Sequence, residues 1–319
     1  MDVLSDAVAA MRAGRPHSSR TVRFAPWGIR FPASEGAGFH VVLQGSAWLL
    51  PAPGPDGAAP PPLRLAPGDV VLLPHGTEHG IADRPDTPLV DAVPAPDGSW
   101  PTLPDRGPVG AADTLLLCGS YQLHRARAHP LLTELPPYVH IPARIGAHPR
   151  LRAAIDLLGA ELAEPQPGSD AILPALLDTL LVLLLRTWWL TERGERGERG
   201  ERGTGWSAAL ADPAVATALK ALHGDPAHPW TVAELGALGG LSRAAFARRF
   251  TALVGRAPLA YLTWWRMTTA GALLRTDDLP LRTVAQRSGY SSEFAFAKAF
   301  KRAYGTAPGR YRAAAGGAR

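Results

Sequence analysis

The chain of 319 residues holds one cysteine, Cys118, so no intramolecular disulfide can form. Lysine is nearly missing: Lys220, Lys298 and Lys301 are the only three, and arginine carries almost all the positive charge. The opening residues lack the basic-then-apolar order of a secretion signal. Asp2 to Arg12 is instead a short amphipathic stretch with early acidic residues. With no disulfide and no such signal, a cytoplasmic protein is expected. There is a single long apolar run, Ile172 to Leu190, close to the ~20 residues that span a bilayer. Asp178 and Arg186 interrupt it and Pro174 stands near its start, so a buried or partnered helix is expected, and no membrane. No acid and base converge in the sequence as a catalytic pair, and no catalytic residue is assigned.

What is present is a repeat. Ser242, Phe246, Ala247, Phe250, Gly255, Ala257, Pro258 and Tyr261 recur fifty residues later as Ser292, Phe296, Ala297, Phe300, Gly305, Ala307, Pro308 and Tyr311. In each copy the two phenylalanines stand at i and i+4, which puts both rings on one buried helical face. Ser242 and Ser292 hold the N-cap positions, and Gly255 and Gly305 end the helices. A shorter helix precedes each copy. Thr231 and Glu234 have the spacing of a capping box that starts Val232 to Leu238, with Gly239 and Gly240 as the turn; the second copy turns at Gly289. Two short helices joined by a glycine turn make a helix-turn-helix, and Pro258 to Thr276 reads as a helix joining the two units.

The segment from Ala208 to Arg312 resembles the AraC/XylS family of transcriptional regulators, above all in Gly289, Tyr290, Ser292, Phe296, Phe300, Lys301, Gly305, Ala307, Pro308, Tyr311 and Arg312. The resemblance implies two recognition helices held by a linker helix so that they read successive major-groove segments. Charge agrees. From Ala208 onward there are fifteen Lys/Arg against six Asp/Glu, a balance of +9, whereas the preceding 207 residues carry −4. With Phe246 and Phe250 turned inward, Arg243, Ala244, Ala247 and Arg248 fall on the outward face of the first recognition helix. Arg248 is the leading base reader, because a guanidinium pairs bidentately with guanine. Glu293, Phe294, Ala297 and Lys298 occupy the corresponding face of the second helix, with Lys301 and Arg302 nearer the phosphates. Arg249, beside the buried stripe, is a candidate structural residue.

Residues 20 to 125 read differently: rich in proline and glycine, with short apolar runs at Phe39 to Leu43, Trp48 to Leu50, Val70 to Leu73 and Leu115 to Leu117, they imply a compact all-β unit. Gly68, Pro74, Gly76 and His79 have the spacing of the second motif of the cupin barrels, with Asp83 where that motif usually ends in Asn. His40 to Gly45 resembles a degraded first motif. The resemblance implies a metal held by two histidines and a glutamate of the first motif and the histidine of the second. Here Gly38 replaces one histidine and Gln44 the glutamate, leaving His40, His79 and His75 as candidates for an effector or a divalent transition metal. Cys118 lies in an apolar strand-like run. It reads either as a small buried core residue or as a redox-sensing thiol, with His124, Arg125 and Arg127 as neighbours able to lower its pKa.

The expected architecture is multidomain α and β: a cupin-like β-barrel sensor (1–145), a helical dimerisation segment (146–190), a flexible linker (191–207) and an all-α double helix-turn-helix (208–319). Helices are expected near His148 to Leu162 and Ala171 to Leu190. The linker contains four Glu-Arg-Gly triplets, whose glycines disfavour a stable helix. The function expected is sequence-specific DNA binding and transcription regulation under a small-molecule or redox signal. Its partners would be double-stranded DNA, a second copy of the chain, RNA polymerase and an effector that the sequence does not name. The competing expectation is a metal-dependent cupin enzyme fused to a DNA anchor.

Overall fold

A computed structural model describes residues 2–11, 16–34, 36–54, 57–93, 113–123, 129–198, 205–276 and 278–316. They form two compact units. One comprises the described residues of 13–123 and 135–191, the other those of 1–12, 124–134 and 192–319. This departs from the expected boundaries, because α1 (Val3–Met11) and α2 (Pro130–Thr133) belong to the second unit. Val3, Leu4, Ala7 and Val8 of α1 are buried there, so the amphipathic start of the chain has a packing role.

The described residues of the first unit form ten strands: β1 (His17–Arg23), β2 (Gly28–Phe31), β3 (Ala37–Gln44), β4 (Ala47–Pro51), β5 (Leu63–Leu65), β6 (Val70–Leu73), β7 (His79–Ala82), β8 (Val90–Asp91), β9 (Thr114–Tyr121) and β10 (Val139–Ile141). They form two five-stranded sheets, ordered β1-β9-β3-β6-β10 and β5-β4-β7-β2-β8. A barrel was expected; among the described residues the two sheets are not joined by hydrogen bonds into a closed one. Inward-facing residues of both sheets make the core: Ile29, Leu49 and Ile81 from one, Val42, Val71, Leu73 and Leu116 from the other.

Two helices follow, α3 (Pro149–Ala163) and α4 (Ser169–Glu198). Leu151, Ile155 and Leu158 of α3 are buried, as are Leu177, Leu180, Leu181, Leu184 and Leu185 of α4. Tyr121, at the end of β9, donates its hydroxyl to the carbonyl of Leu177 at 2.8 Å and ties α4 to the sheet. By length and composition Ser169–Thr191 is apolar enough to cross a membrane, although Asp178 and Arg186 lie within it. The helix continues to Glu198, through the first Glu-Arg-Gly triplets, where a flexible tether was expected. Once a long apolar helix is nucleated, each added residue gains a hydrogen bond without a new nucleus. Glu and Arg are good helix formers, and the ~1 kcal/mol penalty of each glycine is tolerated.

The second unit holds α5 (Gly205–Ala211), α6 (Pro213–Gly224), α7 (Val232–Leu238), α8 (Arg243–Val254), α9 (Pro258–Thr276), α10 (Leu281–Arg287), α11 (Glu293–Tyr304) and α12 (Pro308–Gly316). The α5 helix opens inside the stretch expected to be linker. Its Trp206 is fully buried, and Glu134 caps it by accepting the Trp206 N–H at 2.8 Å.

Candidate DNA-reading helices and sensor cavity

The repeat folds as two matching helices. Ser242 accepts the N–H of Ala245 at 3.4 Å to start α8, and Ser292 accepts that of Ala295 at 3.2 Å to start α11. Gly255 and Gly305 close them with φ of 75° and 73°, a left-handed conformation that costs glycine little. Phe246, Phe250, Phe296 and Phe300 are all fully buried. The capping box is complete, since Thr231 accepts the Glu234 N–H while Glu234 accepts that of Thr231. On the faces left over, Arg243, Ala244 and Arg248 are exposed on α8 and Ala247 is half-buried. Glu293, Phe294, Lys298, Lys301 and Arg302 are exposed on α11, with Ala297 half-buried. Arg249 is held elsewhere: its guanidinium pairs with Asp212, the residue that caps α6.

The helix α9 is fastened to both repeats. Tyr304 of α11 donates to the carbonyl of Met267 at 3.0 Å, and Tyr311 of α12 accepts from Arg275 at 2.7 Å. In the first repeat Tyr261 sits in a sealed knot, 2.6 Å from His223 Nε2 and 3.2 Å from His129 Nε2. The other ring nitrogen of His223 faces Asp6 of α1 at 3.5 Å. Trp206, Trp264 and Trp265 pack around these rings. Burial pushes His129 and His223 below the ordinary histidine range; Asp6 opposes the shift at His223.

In the β unit a cavity of about 60 Å³ lies between the sheets. The strand β1 turns His17, Ser19, Thr21 and Arg23 toward it, every second residue, while Val22 is buried on the opposite face against Leu115. Ile29, Phe31 and Ile81 form an apolar wall. His40 on β3 is paired directly with Cys118 on β9, so their side chains emerge on one face, and His40 Nδ1 lies 3.0 Å from Cys118 Sγ. From the other sheet His79 reaches the far nitrogen of His40, with Nε2 to Nε2 at 2.8 Å, and its own Nδ1 lies 2.8 Å from the carbonyl of Thr77. Phe31 stacks on His79 at 5.2 Å.

The tautomers follow from the end of this chain. A carbonyl only accepts, so His79 Nδ1 carries a proton and donates to Thr77. Burial lowers the pKa of His79 to about 4, which keeps the ring neutral and leaves Nε2 as an acceptor. His40, pushed well below its usual value by burial and by His79, is also neutral; it donates through Nε2 and accepts through Nδ1. The Cys118 thiol therefore donates to His40. Burial raises that thiol to about 12, against the opposing pull of Arg23 and the Thr21 hydroxyl.

A cupin family profile matches residues 2–189, and a helix-turn-helix domain profile matches residues 236–314. Over its whole length the chain is 36% identical across 317 residues to an AraC-like transcription regulator of Streptomyces lividans and 34% identical across 315 residues to one of Streptomyces antibioticus; 98% of each chain is covered. The chain belongs to the AraC family of transcription regulators. Among solved structures, it is also similar to the DNA-binding domain of the global transcriptional factor AdpA, bound to a target DNA. That likeness is 37% in identity and covers 34% of this chain and 96% of that domain, with a TM-score of 0.32.

This AraC-family regulator thus joins a cupin domain to a DNA-binding domain. Of the sensor candidates, the structure brings His40, His79 and Cys118 together and leaves His75 apart, its Nε2 engaged by the carbonyl of Leu135 at 2.8 Å. Asp83 accepts from Thr87 at 2.6 Å, a local turn contact. A metal centre of the cupin kind does not fit these side chains. The facing nitrogens of His40 and His79 are spent on each other, the thiol contacts the remote nitrogen of His40, and among the described residues no three His, Cys, Asp or Glu groups are placed so that they could hold one metal ion. His124, Arg125 and Arg127 lie outside the described residues, and the surroundings that are described push the Cys118 thiol up. Reasoning from sequence missed the polar face of β1 and the knot at Tyr261. The first was legible as alternation of His17, Ser19, Thr21 and Arg23; the second joins residues 132 apart and leaves no local signal.

Proposed function

We propose that this AraC-family regulator reads DNA sequence through α8 and α11 and that a small molecule entering the cupin cavity sets the outcome. The observation that carries the reading is the pair of capped, glycine-terminated helices whose aromatic faces are buried and whose cationic faces are open. On α8 the readers are Arg243, Ala244, Ala247 and Arg248. On α11 they are Glu293, Phe294, Ala297 and Lys298, while Lys301 and Arg302 hold phosphate and carry no sequence information. The effector would lie between the polar row of β1 and the apolar wall at Phe31, against the neutral His40 and His79. A redox role for Cys118 has less support, because a thiol near 12 holds almost no thiolate at neutral pH. The metal-dependent enzyme is the weaker alternative, since the relatives matched over the whole chain are regulators.

Dimerisation belongs to the same proposal. Ile172, Leu176, Thr179, Leu183, Arg186 and Leu190 recur on α4 at alternating spacings of four and three, the seam of a two-helix contact, and Ile172 and Leu190 are 43% and 61% exposed. A dimer would set four reading helices on paired half-sites in the cytoplasm, with RNA polymerase as the further partner.

The test is retention of fragmented genomic DNA by the purified protein at near-physiological salt. Recovery of a few sites sharing a paired motif is expected; uniform recovery would remove the sequence-specific reading. On such a site Arg248→Ala should lose ~1 to 3 kcal/mol of discrimination at one guanine and leave other positions unchanged.

A further inference from the structure

The two recognition helices match in pattern and differ in chemistry. At the offset of fifty, Arg243 and Ala244 of α8 correspond to Glu293 and Phe294 of α11. A cation at the helix tip has become an anion, and a methyl group has become an aromatic ring. That ring is 82% exposed, whereas Phe296 and Phe300 on the same helix are fully buried. A phenylalanine left in water forgoes the stabilisation its burial would bring, so Phe294 contributes little to the fold it sits on. Its neighbour also restricts where the helix tip can rest. A carboxylate is repelled by phosphate, the group that Arg243 at the tip of α8 would attract. Over the edges of bases the same carboxylate can accept from the amino group of cytosine. An apolar ring there has one complementary feature to meet, since thymine alone presents a methyl group in the major groove.

We infer that Phe294 is a specificity-determining residue that recognises the 5-methyl group of a thymine in the operator segment facing α11, with Glu293 holding the helix tip over base edges. The inference rests on the assignment of α8 and α11 as the reading helices and gives that assignment a direction. The segment under α8 selects guanine through arginine, and the segment under α11, about one helical turn or ~34 Å away, selects thymine through an apolar contact. The site therefore has a chemical polarity, and reversing one half of it does not regenerate it.

The experiment uses the full chain and a site retained from genomic DNA, in which each thymine in turn is replaced by uracil. Uracil pairs identically and lacks only the methyl. At one or two positions on the α11 side, uracil should weaken binding about fourfold, the effect of withdrawing one buried methyl. In Phe294→Ala that penalty should vanish, and the variant should bind the thymine site no better than the wild type binds the uracil site. Phe294→Leu should restore part of the preference. Because the ring is exposed, the melting temperature of Phe294→Ala should equal that of the wild type, which separates lost reading from lost folding. Uracil penalties that are absent, or that persist unchanged in Phe294→Ala, overturn the inference. Uniform retention of genomic fragments by the wild type overturns the assignment beneath it, and that outcome is seen before any uracil is introduced.

Discussion

Two clusters of buried histidine occupy the two units, and they differ in what lies beside them. In the β unit His40, His79 and Cys118 form a hydrogen-bonded chain that borders open space. In the helical unit Asp6, His223, Tyr261 and His129 form a chain of similar chemistry, closed in by Trp206, Trp264 and Trp265. Burial is the leading influence on all four histidines and lowers each of them. Perturbed titration alone therefore does not separate a binding site from a structural bolt. The proposed effector site is distinguished instead by the cavity that His40, His79 and Cys118 line.

The comparison is broken most directly by removing bulk. Trp206→Ala should destabilise the helical unit by ~3 to 5 kcal/mol in denaturant unfolding, since the surrounding rings cannot collapse into the void. His40→Ala should cost the β unit less than half as much, because water can enter from the cavity and serve the orphaned groups. Equal costs would mean the cavity confers no tolerance.

Acid should act on both clusters with the same sign. Above pH 6.5 the histidines are neutral in folded and unfolded chains alike, and their contribution is complete. As pH falls below 6.5 the unfolded chain binds protons that the folded chain refuses, down to about 4 for His79. Stability should then fall by about 1.4 kcal/mol per pH unit for each such histidine. His79→Gln and His129→Gln should each flatten that slope in thermal melts between pH 7 and 5. A slope unmoved by His129→Gln would show that the sealed cluster already carries a proton.

The smallest effect sharpens the β side. Cys118→Ala removes one weak donor and should shift stability by about 1 kcal/mol or less. The native thiol should react with iodoacetamide at pH 8 far more slowly than the unfolded chain does. Matching rates would mean that a thiolate is present and would revive the redox reading.

How much was legible beforehand follows the same division. The repeat disclosed α8 and α11 down to their caps because Ser242, Phe246, Phe250 and Gly255 act on one another within thirteen residues, where helical periodicity is the whole signal. The cupin spacing named His40, His79 and His75 together; the fold brings the first two into contact, while His75 engages the carbonyl of Leu135. Strand alternation says which residues share a face and not which face meets a void. The Glu-Arg-Gly tract was judged by composition, while its helicity through Glu198 is inherited from the apolar helix before it. The placement of α1 was the least accessible, since Asp6 and His223 approach each other only in the finished fold.

That last feature governs the order of events during synthesis. His129 and Tyr261 are 132 residues apart, so at ~5 to 20 residues per second the ribosome needs roughly 7 to 26 s to deliver the second after the first. Until then the packing of α1 and of His129 is incomplete, although His223, the partner of Asp6, precedes Tyr261 by 38 residues. The described strands of the β unit are all available by Ile141, so it can close early; the helical unit waits for α9, whose Tyr261 and Arg275 meet His129 and α1.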